Sequence, residues 1–143
     1  MLPTWKPSFS VNHSILDEQH KMLFKLAAKV HGLSAHEFTK EKVRKLLLDF
    51  YTYMQTHFEE EEEYMEKIGY PRLEEHKILH QKLIDSMNDI LKKSFNYQKM
   101  REAMKEVTEK WLLVHILKED MEYENWRKEN NIIDLRNRQM EQE

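Results

Sequence analysis

The chain has 143 residues, enough for one domain with one sizeable core, and contains no cysteine, which excludes disulfides and thiolate metal ligands. Charged residues make up 34% of it, but the formal net charge is only -3, so nothing favours nucleic acid or an anionic membrane as a partner. The strongest apolar run, WLLVHIL at residues 111–117, is far too short to span a bilayer, so we expect a soluble, cytoplasmic protein.

Apolar residues recur at helical spacing in four segments, at about residues 17–31, 39–68, 71–93 and 96–118. Gly32 is a plausible C-terminal cap for the first segment, and Thr39 is a fair N-cap for the second. Gly69 and Pro71 stop the second segment after Ile68. Four helices are therefore predicted, and no segment has the pattern of a strand.

Short connections between the predicted helices favour antiparallel neighbours. The sequence therefore predicts an all-α protein, an up-down-up-down antiparallel four-helix bundle over residues 1–120 that includes an N-terminal arm. Residues 121–143 are polar with a few scattered apolar positions, and we expect them to extend the last helix. Asn130 and Asn131 are the expected break in this C-terminal extension.

Five consecutive glutamates, Glu59 to Glu63, lie near the end of the second helix. At about 100° per residue, Glu61 falls in the middle of an apolar stripe that includes Met54 and Met65. The other four glutamates fall to either side of the stripe or behind it. Glu61 is therefore predicted to enter the core, and the other four are explained as a solvated face.

Histidines occupy core positions on the helices as well. The residues that share this property with Glu61 are His20, His57, His76, His80 and His115. A carboxylate in a core needs a compensating charge, and no lysine or arginine falls on these stripes. Two of the spacings, between His57 and Glu61 and between His76 and His80, are i,i+4, which brings side chains within chelating distance. Metal binding explains this set better than chance burial of polar groups.

A second acid is expected near His115. Glu119 follows it at i+4 and is the better geometric choice, because a regular helix turns Asp120 about 140° away from His115. Five imidazoles with one or two carboxylates exceed the needs of one tetrahedral zinc ion, so two metal ions are predicted. Imidazole and carboxylate ligands suit iron, although manganese, zinc or cobalt could use the same ligands.

Four motifs in the sequence resemble those of the hemerythrins, and among them the single-domain bacteriohemerythrins. They are DEQHKML with His20, HFEEEE with His57 and Glu61, YPRLEEHKILH with His76 and His80, and WLLVHILKEDMEY with His115 and Asp120. The resemblance covers about residues 5–123. It implies that Asp120 rather than Glu119 is the second acid, and therefore that the helix is distorted between Ile116 and Asp120.

The resemblance also implies the cofactor and its ligands. By it, each protein chain holds two iron ions, and the ligands are His20, His57, Glu61, His76, His80, His115 and Asp120. An oxo or hydroxo group bridges the ions together with Glu61 and Asp120. The family binds dioxygen reversibly and turns over no substrate, so the expected function is storage, delivery or sensing of dioxygen, and not catalysis.

An apolar pocket for dioxygen is expected around Phe58, Leu112 and Ile116, which lie next to ligands in the sequence. Ordinary core packing is the alternative for these residues, and for Phe58 it explains the position equally well. Bacteriohemerythrins usually read VGI where this chain has Val11, Asn12 and His13. We expect His13 to lie at the surface and not to be an eighth ligand.

Two other functions are compatible with the sequence. One is a diiron peroxidase or a nitric oxide handling enzyme that uses the same ligands. The other is a metal-stabilised interaction module whose C-terminal extension binds a protein partner. Reversible colour on exposure to air distinguishes dioxygen carriage from both.

Overall fold

The computed structural model describes residues 4–32, 39–92 and 97–132, and within these ranges it contains helices and turns but no strand. The all-α class predicted from the sequence is confirmed. No helix in the described part of the chain is both long enough and apolar enough to cross a membrane. The predicted dioxygen-pocket residue Leu112 and its neighbour Trp111 have side chains outside the described residues.

The first helix, α1, spans Ser14–Gly32 and begins earlier than predicted. Its first turn is tied to the N-terminal arm by Asp17. This carboxylate accepts hydrogen bonds from the Ser10 hydroxyl and from the backbone N–H of Val11. An acidic residue in the first turn also interacts favourably with the helix dipole. The arm is therefore fixed against the start of α1.

The second helix, α2, spans Lys40–Ile68, close to its predicted bounds. The Thr39 side chain accepts a hydrogen bond from a backbone N–H of the first turn, as expected for an N-cap residue. Gly69 ends the helix with φ 74, in the left-handed region that glycine adopts without strain. Pro71 lies in the turn that follows, and α3 spans Leu73–Lys92.

The last helical stretch is continuous from α4 to α5 and contains two π-helical segments. Its parts are α4 at Tyr97–Glu106, π1 at Val107–Leu113, π2 at His115–Asp120 and α5 at Met121–Glu129. π-Helical turns have i→i+5 hydrogen bonds, are rare, and occur frequently at functional sites. The expected break after residue 129 is present, and Asn131 has φ 54.

Two hydrophobic clusters form the interior. The large cluster joins buried residues of α1, α2, α3 and the last helical stretch, among them Leu23, Met54, Leu83 and Met104. The small cluster consists of Val11, Leu16, Tyr64, Met65, Ile68, Tyr70 and Tyr123. Both contain residues of α1, α2 and the last helical stretch, so these elements pass from one cluster to the other.

A layer of buried polar side chains separates the two clusters along the helices. On α1, His20 lies between Leu16 of the small cluster and Leu23 of the large one. The other buried members of this polar layer are His57, Glu61, His76, His80, His115 and Asp120. Each helix therefore brings its polar residues to the same level of the fold.

The N-terminal arm also contacts the far end of the chain. Asn12 has φ 54, and its amide donates a hydrogen bond to the buried carboxylate of Glu124 in α5. Arg127 donates to the same carboxylate. Asparagine tolerates the left-handed conformation better than other residues with a β carbon. Asn12 therefore allows the left-handed turn and supplies a contact that glycine cannot make.

The prediction that His13 lies at the surface is wrong. Its side chain is 2% exposed, and Nδ1 accepts a hydrogen bond from the backbone N–H of Leu16. The ring meets Tyr64 edge to face, with the two centroids 4.7 Å apart. Asn12, immediately before His13, has a left-handed backbone conformation that changes the direction of the chain. The sequence alone does not indicate this change of direction, and so it does not indicate that His13 is buried. His13 is not part of the polar layer described above.

We expect Asn12→Ala to lower the free energy of unfolding by about 1–3 kcal/mol, because alanine disfavours positive φ and leaves Glu124 without its amide partner. Asn12→Gly is the matched control, since it removes the side chain but not the conformational freedom, and it should cost less. Urea denaturation followed by circular dichroism measures both. Equal stability of Asn12→Ala and the wild type would show that this contact contributes nothing.

Candidate metal centre

Seven polar side chains, each no more than 4% exposed, meet in the layer between the two hydrophobic clusters. They form two groups in which the potential ligand atoms lie within 4.8 Å of one another. One group is His20, His57, Glu61 and Asp120. The other is Glu61, His76, His80, His115 and Asp120. Glu61 and Asp120 belong to both groups.

The two oxygens of Glu61 face different groups of histidines. Oε2 lies 3.1 Å from Nε2 of His20 and 3.5 Å from Nε2 of His57. Oε1 lies 2.9 Å from Nε2 of His80 and 3.4 Å from Nε2 of His76. One carboxylate therefore links the two sides of the cluster.

Asp120 makes the same division. Its Oδ2 lies 3.1 Å from Nε2 of His20. Its Oδ1 lies 2.9 Å from Nε2 of His76 and 3.1 Å from Nε2 of His115. Both acids thus lie between two groups of histidines. Each acid has one oxygen near the group of His20 and His57 and the other oxygen near the group of His76, His80 and His115.

The segment π2 explains how Asp120 reaches this position. In a regular α-helix Asp120 would lie about 140° around the axis from His115. Because π2 has i→i+5 hydrogen bonds, it holds more residues per turn and returns Asp120 to the face of His115. Glu119 is only partly buried and belongs to neither group. The choice of Glu119 from spacing alone is wrong for this reason.

Two histidines also make hydrogen bonds through their outer ring nitrogens. Nδ1 of His80 lies 2.7 Å from Oε2 of Glu62. Nδ1 of His57 lies 2.6 Å from the amide oxygen of Gln19, and the amide nitrogen of Gln19 donates in turn to Glu60. Partners of this kind fix the ring orientation and the tautomer, so that Nε2 faces the interior of the cluster.

The five consecutive glutamates therefore have different roles. Glu61 is fully buried, as predicted, whereas Glu59 and Glu63 are exposed. Glu62 is 26% exposed and contacts His80, and the exposed Glu60 holds Gln19. The interpretation of the other four as a solvated face is confirmed in exposure for Glu59, Glu60 and Glu63, but Glu62 is partly buried. Glu60 and Glu62 differ from Glu59 and Glu63 in their contacts with α1 and α3.

Tyr123 contributes a hydrogen bond from α5. Its hydroxyl donates to Oε2 of Glu61 at 3.0 Å, and its ring meets that of His76 with the centroids 5.8 Å apart. Burial, followed by the negative charges of Glu61 and Asp120, raises the pKa of Tyr123 well above its ordinary value. The phenol is therefore neutral at physiological pH and available as a donor.

The two acids and their histidine neighbours change each other's protonation. Burial alone would lower the pKa of His20, but the adjacent carboxylates of Asp120 and Glu61 outweigh it and raise the pKa to about 10. The same causes raise the pKa of His76 to about 10. The pKa of Glu61 and that of Asp120 are lowered despite burial, because the surrounding histidines stabilise the carboxylates. Without a metal ion, the cluster holds its charge as ion pairs.

The predicted pocket residues lie in different relations to the cluster. The Phe58 ring stacks on that of His80, with the centroids 3.9 Å apart and the planes 4° apart, and it also meets His115 at 5.9 Å. Ile116 is buried in the large hydrophobic cluster. Phe58 is therefore an apolar wall of the polar layer.

The donor set fits metal ions. All five histidines approach the acids through Nε2, yet within the described ranges His57 Nε2, His115 Nε2 and Asp120 Oδ2 make no hydrogen bond of acceptable geometry. The nitrogen to oxygen distances of 2.9–3.5 Å resemble the spacing of about 3 Å between adjacent ligands of an octahedral ion. Imidazole with carboxylate is a donor set for iron, manganese or zinc.

Comparison with known proteins agrees with this geometry. A family profile described as "Hemerythrin HHE cation binding domain" matches residues 11–126, which is most of the chain. The chain belongs to the hemerythrin family. The family description names a cation-binding domain, and the matched residues include all seven polar side chains of the cluster.

Individual hemerythrins match over nearly their whole length. A bacteriohemerythrin of Clostridium acetobutylicum is 32% identical over 124 residues, 83% of this chain and 96% of that protein. A bacteriohemerythrin of Methylococcus capsulatus is 32% identical, over 85% of this chain and 94% of that protein. A myohemerythrin of Theromyzon tessulatum is 31% identical, over 83% of this chain and 88% of that protein. No solved structure matches the chain significantly.

The pKa shifts predict how the stability of the metal-free protein depends on pH. The raised pKa values of His20 and His76 contribute stability that is complete below about pH 6.5 and is lost as the pH rises towards 10. The free energy of unfolding in EDTA should therefore fall between pH 6.5 and 9, by at most about 1.4 kcal/mol per pH unit for each histidine.

Urea denaturation at several pH values tests this dependence. The double variant His20→Gln, His76→Gln is the control, because it lacks the two titrating rings and its stability should change less over the same range. A wild-type stability that is constant or rises from pH 6.5 to 9 would contradict the assignment of these ion pairs.

Proposed function

We propose that this hemerythrin-family protein binds dioxygen reversibly at a non-heme diiron centre, for storage, delivery or sensing. The observation that supports this most directly is the division of the carboxylate oxygens. Glu61 and Asp120 each turn one oxygen to the His20 side and the other to the side of His76. Two shared acids between two groups of imidazoles suit two neighbouring ions better than one.

In this proposal His20 and His57 would hold one iron ion, and His76, His80 and His115 would hold the other. Glu61 and Asp120 would serve both ions, together with an oxo or hydroxo group, and the ion held by two histidines would be the one that binds dioxygen. When bound, the iron ions supply the electrons that bind dioxygen, and the protein side chains hold the ions and limit access to them.

The side chains around the cluster support carriage more than catalysis. Diiron oxidases of the ferritin-like type use four carboxylates, which stabilise highly oxidised iron. Here five imidazoles accompany only two carboxylates, and Tyr123 donates a hydrogen bond to one of them, which reduces its negative charge further. The donor set is thus poor in anionic ligands, so we infer that the protein is not an enzyme.

Apolar packing supports the reversibility of binding. Phe58 covers one face of His80 and lies near His115, so water has little access from that side. Excluding water limits the loss of bound dioxygen in a reduced and protonated form. We propose that Phe58 and Ile116 line the space that dioxygen occupies.

We further propose that the fold is an up-down-up-down antiparallel four-helix bundle over residues 1–120. Its support is the order in which the helices meet the two hydrophobic clusters. Along α1 the small cluster precedes the large one, as at Leu16 and Leu23, whereas along α2 the order is reversed, as at Met54 and Met65. In this proposal residues 121–143 are the C-terminal extension, of which the structure describes residues 121–132, and the extension is the candidate for contact with a protein partner.

Reversible dioxygen binding predicts a reversible colour change. The protein is loaded with ferrous iron under argon, exposed to air and purged with argon again. A visible absorption band should appear in air and disappear under argon over repeated cycles, with about two irons per chain by elemental analysis. Glu61→Ala should lose the band, whereas Glu63→Ala, a change at an exposed position of the same glutamate run, should keep it.

Two results would contradict carriage. Irreversible conversion to ferric iron in the first cycle would favour an enzyme or a site open to water. Absence of both iron and colour in the wild type would leave only a structural or interaction role for the cluster.

The role of π2 predicts a contrast between adjacent acids. Asp120→Asn should reduce bound zinc or iron to fewer than two ions per chain, because it replaces a buried anion that faces both groups of histidines. Glu119→Gln should leave the metal content unchanged. Elemental analysis after gel filtration measures both variants. Equal metal loss in the two variants would show that the π-helical turn does not select the ligand.

A further inference from the structure

The outer hydrogen bonds of the histidines differ between the two sides of the cluster. On the three-histidine side, Nδ1 of His80 donates to a carboxylate, Oε2 of Glu62, at 2.7 Å. On the two-histidine side, Nδ1 of His57 donates to a neutral amide oxygen of Gln19, at 2.6 Å. Nδ1 of His20 is buried and has no hydrogen-bond partner among the described residues.

This difference concerns charge more than geometry. Both acceptors are planar groups at similar distances, so each can hold its ring in place equally well. A carboxylate acceptor draws the imidazole proton towards itself and makes the opposite nitrogen more basic, whereas an amide does so much less. His80 is thus the stronger electron donor of the two rings.

The contact between Gln19 and Glu60 favours a neutral side chain as the acceptor for His57. The amide nitrogen of Gln19 donates to Glu60, which fixes the amide oxygen towards His57. A glutamate at position 19 would instead face Glu60 with a second negative charge. Glu60 and Gln19 together therefore orient the His57 ring without making its Nε2 much more basic.

We propose that Glu62 and Gln19 set unequal electron donation to the two metal positions. Glu62 makes the three-histidine position the tighter site and the one that stabilises ferric iron more strongly, and Gln19 keeps the two-histidine position, where dioxygen binds, less electron-rich. Both are positioning residues that act through histidines. This inference rests on the proposed function, because it takes the same ligands for the two metal ions.

Glu62→Gln is the decisive variant, since glutamine keeps an oxygen that can accept the His80 hydrogen bond and removes only the charge. Zinc titration calorimetry should show about tenfold weaker binding in the tighter of two steps. Spectroelectrochemistry of the iron-loaded protein should show a higher reduction potential, by about 59 mV for a tenfold change in a one-electron equilibrium. Glu63→Gln is the matched control and should change neither quantity.

A double exchange on the other side should act in the opposite direction. Gln19→Glu combined with Glu60→Gln places the carboxylate next to His57 and keeps an amide to hold it. The weaker zinc step should become tighter, and the difference between the two steps should decrease. Proton NMR of the cobalt(II)-loaded protein detects the paramagnetically shifted N–H signals of the histidines. The signal of His57 should move in the double variant, and the signal of His80 should move in Glu62→Gln.

The results separate this inference from the proposed function. If the wild type binds two metal ions and Glu62→Gln matches Glu63→Gln in affinity, potential and N–H resonance, the inference is overturned while the diiron site remains. If the wild type binds neither zinc in the titration nor iron on loading, the proposed function fails and the inference fails with it.

Discussion

Two carboxylates without solvent exposure, Glu61 and Asp120, are the constraint on which the rest of the structure depends. Removing an ionised acid from water costs several kcal/mol, and that cost must be offset by nearby positive charge. Without metal, His20 and His76 supply it, because the acids raise the pKa of both rings to about 10. In the proposed metal-bound form, cations between the imidazoles and the acids would supply it. Water cannot solvate the two acids, because the apolar clusters on either side exclude it.

The π-helical segment π2 follows from the same constraint. π-Helical turns are rare in helices, and nothing in the residues HILKED alone would be expected to stabilise one. Burial of Asp120 between His20, His76 and His115 provides the compensating interactions. The continuation into α5 then brings the Tyr123 hydroxyl to Glu61. The π-helical turn thus positions both Asp120 and Tyr123 for contact with the cluster.

The glutamate run and the N-terminal arm illustrate how surface residues contribute to a buried site. Glu62 contacts the cluster directly through a hydrogen bond with His80, and Glu60 contacts it through Gln19, which hydrogen-bonds to His57. Asn12 joins the arm to Glu124 in α5, the residue after Tyr123. Asn12 therefore combines a left-handed backbone conformation with a hydrogen bond that glycine could not make.

The helices and the burial of Glu61 could be predicted from the sequence, because helical periodicity is a local property and one charged residue in an apolar stripe is conspicuous. The same periodicity identified the histidines at core positions. It failed at Asp120, since an α-helical period does not describe a π-helical turn. The burial of His13, which lies before α1 and after a left-handed residue, is outside the reach of helical periodicity.

What only the tertiary structure decided is which atoms of separate helices meet. The division of the Glu61 and Asp120 oxygens, and the different acceptors for His57 and His80, depend on contacts between residues far apart in the sequence. A periodic pattern shows which face of a helix a side chain lies on. It does not show its neighbours on the next helix, because the rotation and height of each helix are set by packing of the whole core.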